Sequence, residues 1–173
     1  DLHLSIRRQR QMCIRDSVYS AFKSCVGSFV AFLEQKGLGT LVPKRYELSY
    51  INFIPQGRAY ASLDNISSVF PDLHWQRPAS ASGRFLSSPS ALSWQVSIPL
   101  PDRQGEGTIK IQSARRAPTN EDVIRAELAA TSFEGRAATP GMDDWFDVAH
   151  AWIVRAFEDI TDDTVQREIW GKL

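Results

Sequence analysis

Three successive segments in the second half of the chain alternate apolar and polar residues with a period of two. Two of them span residues 109–112 and 124–130, and the clearest spans residues 92–100, with the apolar residues Leu92, Trp94, Val96, Ile98 and Leu100. Successive side chains of a β-strand point to opposite faces, so each segment is predicted to be a strand with one dry and one wet face. Only short turns, at residues 102–105 and 118–120, separate the segments. Short turns between amphipathic strands predict an antiparallel meander.

A fourth strand is predicted at residues 45–54, where the even-numbered and the odd-numbered residues would point to opposite faces. Both sets include apolar residues, so either face could pack against another element. Pro55 and Gly57 follow and end it. Residues 56–90, which join this strand to the meander, are rich in Pro, Ser, Gly and Ala. This composition predicts a long irregular connection, with a short edge strand at residues 84–87.

Two other segments carry apolar residues at three- and four-residue intervals, which is the spacing of an amphipathic helix. The first spans residues 18–36, has Cys25 in its apolar stripe and ends at Gly37 and Gly39, because glycine accepts the left-handed conformation of a helix end. The second spans residues 143–159, and its apolar stripe is formed by Trp145, Phe146, Ala149, Trp152, Ile153, Ala156, Phe157 and Ile160.

These elements predict an α+β fold in which an antiparallel sheet of about four strands packs against an N-terminal and a C-terminal helix. Trp94 of the meander and Trp152 of the C-terminal helix are expected to be buried where the sheet and the helix meet. Cys25 is expected to be an inert core residue. A last short helix is predicted at residues 162–170, with Thr161 as its cap.

The charge balance and the cysteine content exclude several classes of partner and compartment. Residues 134–173 carry four basic against nine acidic residues, while the chain as a whole has a net charge of zero. No concentrated basic stripe results, so no nucleic-acid partner is expected. The longest apolar stretch, residues 26–33, is far shorter than the ~20 residues of a membrane span. Two cysteines without C-x-x-C spacing, in a sequence without a secretory signal, indicate a soluble protein of the reducing cytoplasm.

The first residues of the chain are interpreted as foreign to the protein. The segment from Arg8 to Ser17 matches the translation of a transposase sequencing adapter, and a match of this length is hard to obtain by chance. We therefore interpret residues 1–17 as an adapter-derived tail and residues 18–173 as a single α+β domain. The tail is expected to be extended, or to continue the first helix backward from Val18, with little burial.

Two segments carry a resemblance to a known family. Residues 46–52 end in the motif Tyr-Ile-Asn, and residues 145–161 contain the motif Ala-His and end in Phe-x-x-Ile-Thr. With the closing Ile169-Trp170-Gly171, they resemble a sporadically distributed family of uncharacterised prokaryotic proteins. The resemblance covers residues 18–173 and implies an N-terminal strand that this chain lacks, so the domain is expected to be N-terminally truncated. It implies no established activity, and its sporadic distribution favours an accessory protein of mobile or defence-linked loci.

The C-terminal helix contains the strongest candidate for chemistry. Asp143, Asp147 and His150 are spaced at i, i+4 and i+7, which places them along one side of the helix. Such a row could hold a metal ion or poise a general base. The alternative is structural: His150 lies at the rim of the apolar stripe beside Phe146 and Phe157, and the acidic residues favour the positive end of the helix dipole. We favour the structural interpretation and predict no metal and no cofactor.

Three further residues are candidates for binding. Asn52 interrupts an apolar strand face, and because a buried amide needs hydrogen-bond partners, it either bonds a loop or a helix end or contacts a ligand. Trp75 and Trp170 lie outside the predicted core and are freer to contact a partner. Glu47 and Glu127 each alternate with an arginine, which favours cross-strand charge pairing over acid–base catalysis.

The sequence contains no nucleophile elbow, no phosphate loop and no zinc-binding pattern. We interpret Gly105-Glu106-Gly107 as a hairpin turn. The function expected from this sequence is that of a non-catalytic binding or regulatory module with a protein partner. One alternative is a small-molecule-binding domain that uses the cavity between the sheet and the C-terminal helix, and another is an enzyme centred on His150.

Overall fold

The computed structural model describes residues 2–57, 59–75, 88–117, 119–134 and 141–171, and of residues 2–17 it describes the backbone alone. The chain forms two compact units, Asp1–Pro43 and Lys44–Leu173. Its elements are those of an α+β protein, with an N-terminal helix, a four-stranded antiparallel sheet and a C-terminal helix, as predicted. None of the helices formed by the described residues combines the length and the apolar character needed to cross a membrane.

The first unit contains helix α1, Leu2–Gln35, which includes the predicted helix and continues it backward from Val18. Gly37 ends it with a positive φ of 66°. The Gly37 N–H donates to the Glu34 carbonyl over 3.1 Å and the Leu38 N–H donates to the Leu33 carbonyl over 3.0 Å. This pair of bonds satisfies the last carbonyls of the helix and confirms the predicted role of Gly37.

Several apolar residues of α1 that the sequence predicts to be core residues are exposed. Phe22, Phe29 and Phe32 are exposed, and so is Cys25, so the prediction that Cys25 is a core residue is wrong. The unit Asp1–Pro43 contains a single helix followed by a segment without regular structure. One helix offers no second layer against which its own apolar stripe can be buried.

The second unit is built on strands β1 (Glu47–Pro55), β2 (Ser93–Pro99), β3 (Gly105–Arg116) and β4 (Glu121–Ser132). They form one antiparallel sheet in the order β1-β4-β3-β2. The hairpins β2–β3 and β3–β4 are the predicted meander, and β1 pairs with the other side of β4. Within the described residues, strands β1 and β2 are therefore the two edges of the sheet.

The inner face of the sheet carries the core, and β4 lies at its centre. The inward-facing row of β4 is 0% exposed, as predicted, and consists of Ile124, Ala126, Leu128 and Ala130. Helix α2 (Met142–Ile160) packs mainly against β4 and β1 and buries Trp145, Ala149 and Ile153. A short 3₁₀ helix, Leu63–Ser68, adds further apolar side chains to the same core.

The connection between β1 and β2 contributes more to the core than its composition predicts. Within its described part, the 3₁₀ helix buries Ile66, and Val69 and Phe70 follow with at most 1% of their surface exposed. The carbonyl of Val69 accepts a hydrogen bond of 2.9 Å from the N–H of Asp162, close to the C-terminus. This segment is therefore an integral part of the second unit. The edge strand predicted at residues 84–87 lies outside the described residues.

The predicted burial of two tryptophans is wrong in degree, because Trp94 and Trp152 are both half-buried. The fully buried tryptophan is Trp145, which is 1% exposed. Trp94 lies on β2, an edge strand. Helix α2 lies over the same face of the sheet but mainly over its other half, formed by β4 and β1. Side chains on the β2 side are therefore covered less completely than those on β4.

A single turn of π-helix, Val165–Ile169, follows α2 where the sequence predicts a short helix. Its N-terminal cap is Asp162, because the Asp162 Oδ1 accepts hydrogen bonds from the N–H groups of Thr164 at 2.8 Å and Val165 at 3.0 Å. The prediction of Thr161 as the cap is wrong, since its hydroxyl donates backward to the Phe157 carbonyl over 2.6 Å. An aspartate one residue later lies closer to the free N–H groups of the turn.

Candidate functional site

His150 lies on the flank of α2 that faces β1. It is half-buried, and its ring meets the ring of Tyr50 edge-on, with 5.7 Å between centroids. Asp143 and Asp147, on the same helix, are exposed. Among the residues that the structure describes, no three His, Cys, Asp or Glu side chains are grouped so that they could hold a metal ion. His150 therefore packs against an aromatic ring at the rim of the apolar stripe.

Asn52 lies on the inner side of β1, opposite Ala126 of β4. It is half-buried, as are its neighbours Leu48 and Tyr50 on the same side of the strand. A half-buried amide retains access to water, so it does not depend on a protein partner in the way that a fully buried one does.

The two tryptophans singled out for binding lie on different elements. Trp75 is 37% exposed at the end of the described part of the β1–β2 connection. Trp170 follows the π-helical turn and stacks on Phe157 of α2, with 5.5 Å between ring centroids. Trp170 is half-buried and packs against the core, so Trp75 is the more accessible of the two.

The glutamates Glu47 and Glu127 each pair with the arginine two residues before them in the chain. Arg45 and Glu47 lie 3.7 Å apart and are exposed, and Arg125 and Glu127 lie 2.6 Å apart on β4. The prediction of charge pairing is confirmed, but its cross-strand direction is wrong. Residues i and i+2 of a strand share one face, and the arginine side chain is long enough to reach the carboxylate along the strand.

Among the described residues, an open groove lies on the inner face of the sheet, between α2 and the β2–β3 side. Its volume is about 530 Å³. Ile98 and Ile109 contribute from the sheet, and Trp152 contributes from the helix. Ile98 is 38% exposed although it belongs to the apolar row of β2. The groove exists because α2 lies mainly over β4 and β1, which leaves the inner side of β2 uncovered.

Gly107 of β3 determines how close Trp152 comes to the sheet. The ring of Trp152 lies against Gly107, at a position where a Cβ atom would overlap the ring. The interpretation of residues 105–107 as a turn is wrong, because both glycines belong to β3. A glycine inside a strand often marks a close approach of another group, and this signal was present in the sequence.

The groove is apolar except for two charged residues. Val148, Ala151 and Ala156 contribute further apolar surface from α2. Arg155 and Asp159 also line it, and both are exposed. They lie one helical turn apart on α2 and bring one positive and one negative charge to its margin. Sequence reasoning named a cavity between sheet and helix but none of these residues as its lining, because the lining depends on where α2 crosses the sheet.

The chain matches no protein-family model, no curated protein and no solved structure. Its resemblance to the uncharacterised prokaryotic family stays a prediction based on residues 46–52 and 145–161.

Proposed function

We propose that the unit Lys44–Leu173 is a non-catalytic binding or regulatory module of a prokaryotic system, and that the groove beside α2 receives its partner. The observation that carries this proposal is an uncovered apolar residue on the inner face of the sheet: Ile98 is 38% exposed and, with Trp152 of α2, lines the groove. Exposed apolar surface bounded by polar residues is typical of interaction sites.

The groove fits apolar side chains projecting from a protein partner. Its two charged residues, Arg155 and Asp159, lie at exposed positions of α2. An apolar anchor inserted beside Trp152, with a polar group near Arg155 or Asp159, matches the usual anatomy of an interface, in which an apolar centre is surrounded by a polar rim.

A small apolar molecule is the second candidate occupant. The groove volume of about 530 Å³ lies within the range of roughly 300–1,000 Å³ typical of ligand pockets. Trp152 offers an aromatic surface for stacking, and Arg155 offers a cation for an acidic group. Both candidates use the same groove and therefore respond to the same substitutions.

The test compares two substitutions on exposed positions of α2. Ala151→Arg places a long side chain in the groove, whereas Val154→Arg adds the same side chain outside it. We expect proteins retained by the immobilised wild-type chain to be retained by Val154→Arg and lost by Ala151→Arg. In a thermal-shift screen, compounds that bind the groove should stabilise the wild type and Val154→Arg but leave Ala151→Arg unchanged. Ligands bound equally by all three proteins would show that the groove is not the binding site.

A further inference from the structure

The free edge of β1 presents a row of outward-pointing backbone groups. The Ser132 N–H donates to the Tyr46 carbonyl over 2.9 Å, and the Gln56 N–H donates to the Asp122 carbonyl over 3.1 Å. The even-numbered residues of β1 therefore bond to β4. Because the backbone groups of successive residues in a strand point to opposite edges, those of residues 47, 49, 51 and 53 point away from the sheet. Within the described residues, they bond to no other backbone group.

The side chains beside this edge are apolar and exposed. Ile51 is 46% exposed and Phe53 is 44% exposed, both on the outer face. Edge strands in monomeric proteins are usually protected by lysine, by proline or by short length. Strand β1 has nine residues, contains no lysine, and has a proline only at its last position, Pro55.

The other edge of the same sheet has a different character. The Ser113 N–H donates to the Leu92 carbonyl and the Leu100 N–H donates to the Gly105 carbonyl, so the odd-numbered residues of β2 point outward. These residues are polar or proline: Ser93, Gln95, Ser97 and Pro99. Among the described residues, β1 is the edge that combines outward-pointing donors and acceptors with large apolar side chains exposed on the outer face; the exposed Ile98 of β2 lies on the inner face.

We propose that β1 pairs with β1 of a second copy of this chain, antiparallel across a two-fold axis at Tyr50, to form a continuous eight-stranded sheet. In this register Glu47 lies opposite Phe53 of the other copy, and Ser49 lies opposite Ile51. The four outward-pointing residues of each copy then form about eight backbone hydrogen bonds, two for each directly opposed pair. The two Ile51 side chains become diagonal neighbours on the outer face.

Charge complementarity supports a second copy as the occupant and selects this register. The guanidinium of Arg116 lies over the ring of Phe53, 5.7 Å from its centroid. A carboxylate opposite Phe53 is therefore brought close to Arg116. In the proposed register this carboxylate belongs to Glu47 of the other copy, and the two-fold axis produces the same Glu47–Arg116 pair twice. A register centred on Ile51 instead opposes Glu47 with Pro55, which has no N–H to donate.

The first experiment compares matched proline substitutions at the two sheet edges in the full chain. Ser49→Pro removes an outward-pointing N–H of β1, and Ser97→Pro removes the corresponding group of β2, so neither breaks a hydrogen bond within the sheet. Sedimentation velocity of the wild type should show twice the mass of the chain. We expect Ser97→Pro to remain dimeric and Ser49→Pro to become monomeric, with circular dichroism showing that both are folded. A monomeric wild type, or a dimer that survives Ser49→Pro, would overturn the proposal.

A charge exchange provides a second test that does not depend on proline. Glu47→Arg and Arg116→Glu should each raise the dissociation constant about tenfold, since each change replaces two symmetry-related exposed ion pairs by repulsion. The double variant should restore the wild-type constant. If the double variant dissociates as readily as either single variant, Glu47 and Arg116 do not meet across the axis and the register is wrong. If the wild type stays monomeric and its β1 edge instead binds an added extended peptide, the dimer proposal is wrong and the edge has a different occupant.

Discussion

At the scale of single residues, the two tryptophans of α2 differ in what surrounds them. Trp145 is 1% exposed, its ring lies 5.5 Å from that of Tyr46, and its indole N–H donates to the Gln104 carbonyl over 3.3 Å. Trp152 is half-buried and lies against Gly107 at the side of the groove. The amphipathic pattern assigns both to one stripe, but only contact with the sheet distinguishes them.

Trp145→Ala is therefore expected to destabilise the protein more than Trp152→Ala. Removal of the buried indole should lower the free energy of unfolding by about 3–5 kcal/mol, because it leaves a cavity between sheet and helix. Trp152→Ala should cost less, since part of that side chain already contacts water. Urea unfolding of both variants measures the difference. Equal losses would contradict the burial described for the two residues.

The buried tyrosines of the second unit give the protein a sensitivity to alkaline pH. Burial raises the pKa of Tyr46 above its ordinary value of 10.0. Burial also raises the pKa of Tyr60, with further contributions from the negative charges of Asp122 and Glu121. Above pH ~10 the unfolded chain therefore releases these protons before the folded protein does. The stability that the neutral phenols provide is complete below this pH and is lost as the pH rises toward the folded-state pKa.

This sign predicts a smaller alkaline loss of stability in phenylalanine variants. We expect Tyr46→Phe and Tyr60→Phe to lose less free energy of unfolding between pH 9 and pH 11 than the wild type, when urea unfolding is followed at several pH values. The difference from the wild type should be larger for Tyr60→Phe than for Tyr46→Phe, because two carboxylates add to the effect of burial on the pKa of Tyr60. Identical pH profiles for the wild type and both variants would contradict the assigned cause.

At the scale of secondary-structure elements, the π-helical turn Val165–Ile169 depends on its cap. Asp162 accepts two backbone hydrogen bonds at the start of the turn. Beyond this cap, the buried Gln166 amide donates to the carbonyls of Glu158 at 2.8 Å and Thr161 at 2.9 Å, which joins the turn to the end of α2. The turn is thus fixed by specific polar contacts as well as by its apolar residues.

Asp162→Ala is expected to lower the free energy of unfolding by about 0.5–2 kcal/mol, the usual effect of removing an N-terminal cap. Asp163→Ala provides the matched control, because Asp163 is the neighbouring exposed aspartate. Urea unfolding of both variants should show a loss for position 162 and little change for position 163. Losses of the same size would point to the general negative charge of this segment instead of the cap.

At the scale of the second unit, the two proposed interaction surfaces lie toward opposite edges of one sheet. The groove is formed over β2 and β3, whereas the proposed dimer uses β1, the other edge in the order β1-β4-β3-β2. Pairing through β1 would therefore leave both grooves accessible. A dimer with two accessible grooves would bind a bivalent partner more tightly than a single copy does, through the raised effective concentration of the second site.

The sequence by itself determined which residues share a face. Alternation in residues 92–100 and 124–130 is a local property of extended backbone, and three- and four-residue spacing in residues 143–159 is a local property of the helix, so β2, β4 and α2 were predictable. The end of α1 at Gly37 was predictable for the same reason, since the left-handed conformation is a property of glycine itself.

Only the tertiary structure decided which of those faces is covered. The position of α2 over β4 and β1 buries Trp145, leaves Trp152 beside a groove, and exposes Ile98. The core contribution of Phe70 was not visible in the composition of its segment, because burial there arises from contacts with distant elements. Periodicity states which side chains point the same way, whereas burial and binding depend on what lies against them, and that is decided by the packing of elements far apart in the chain.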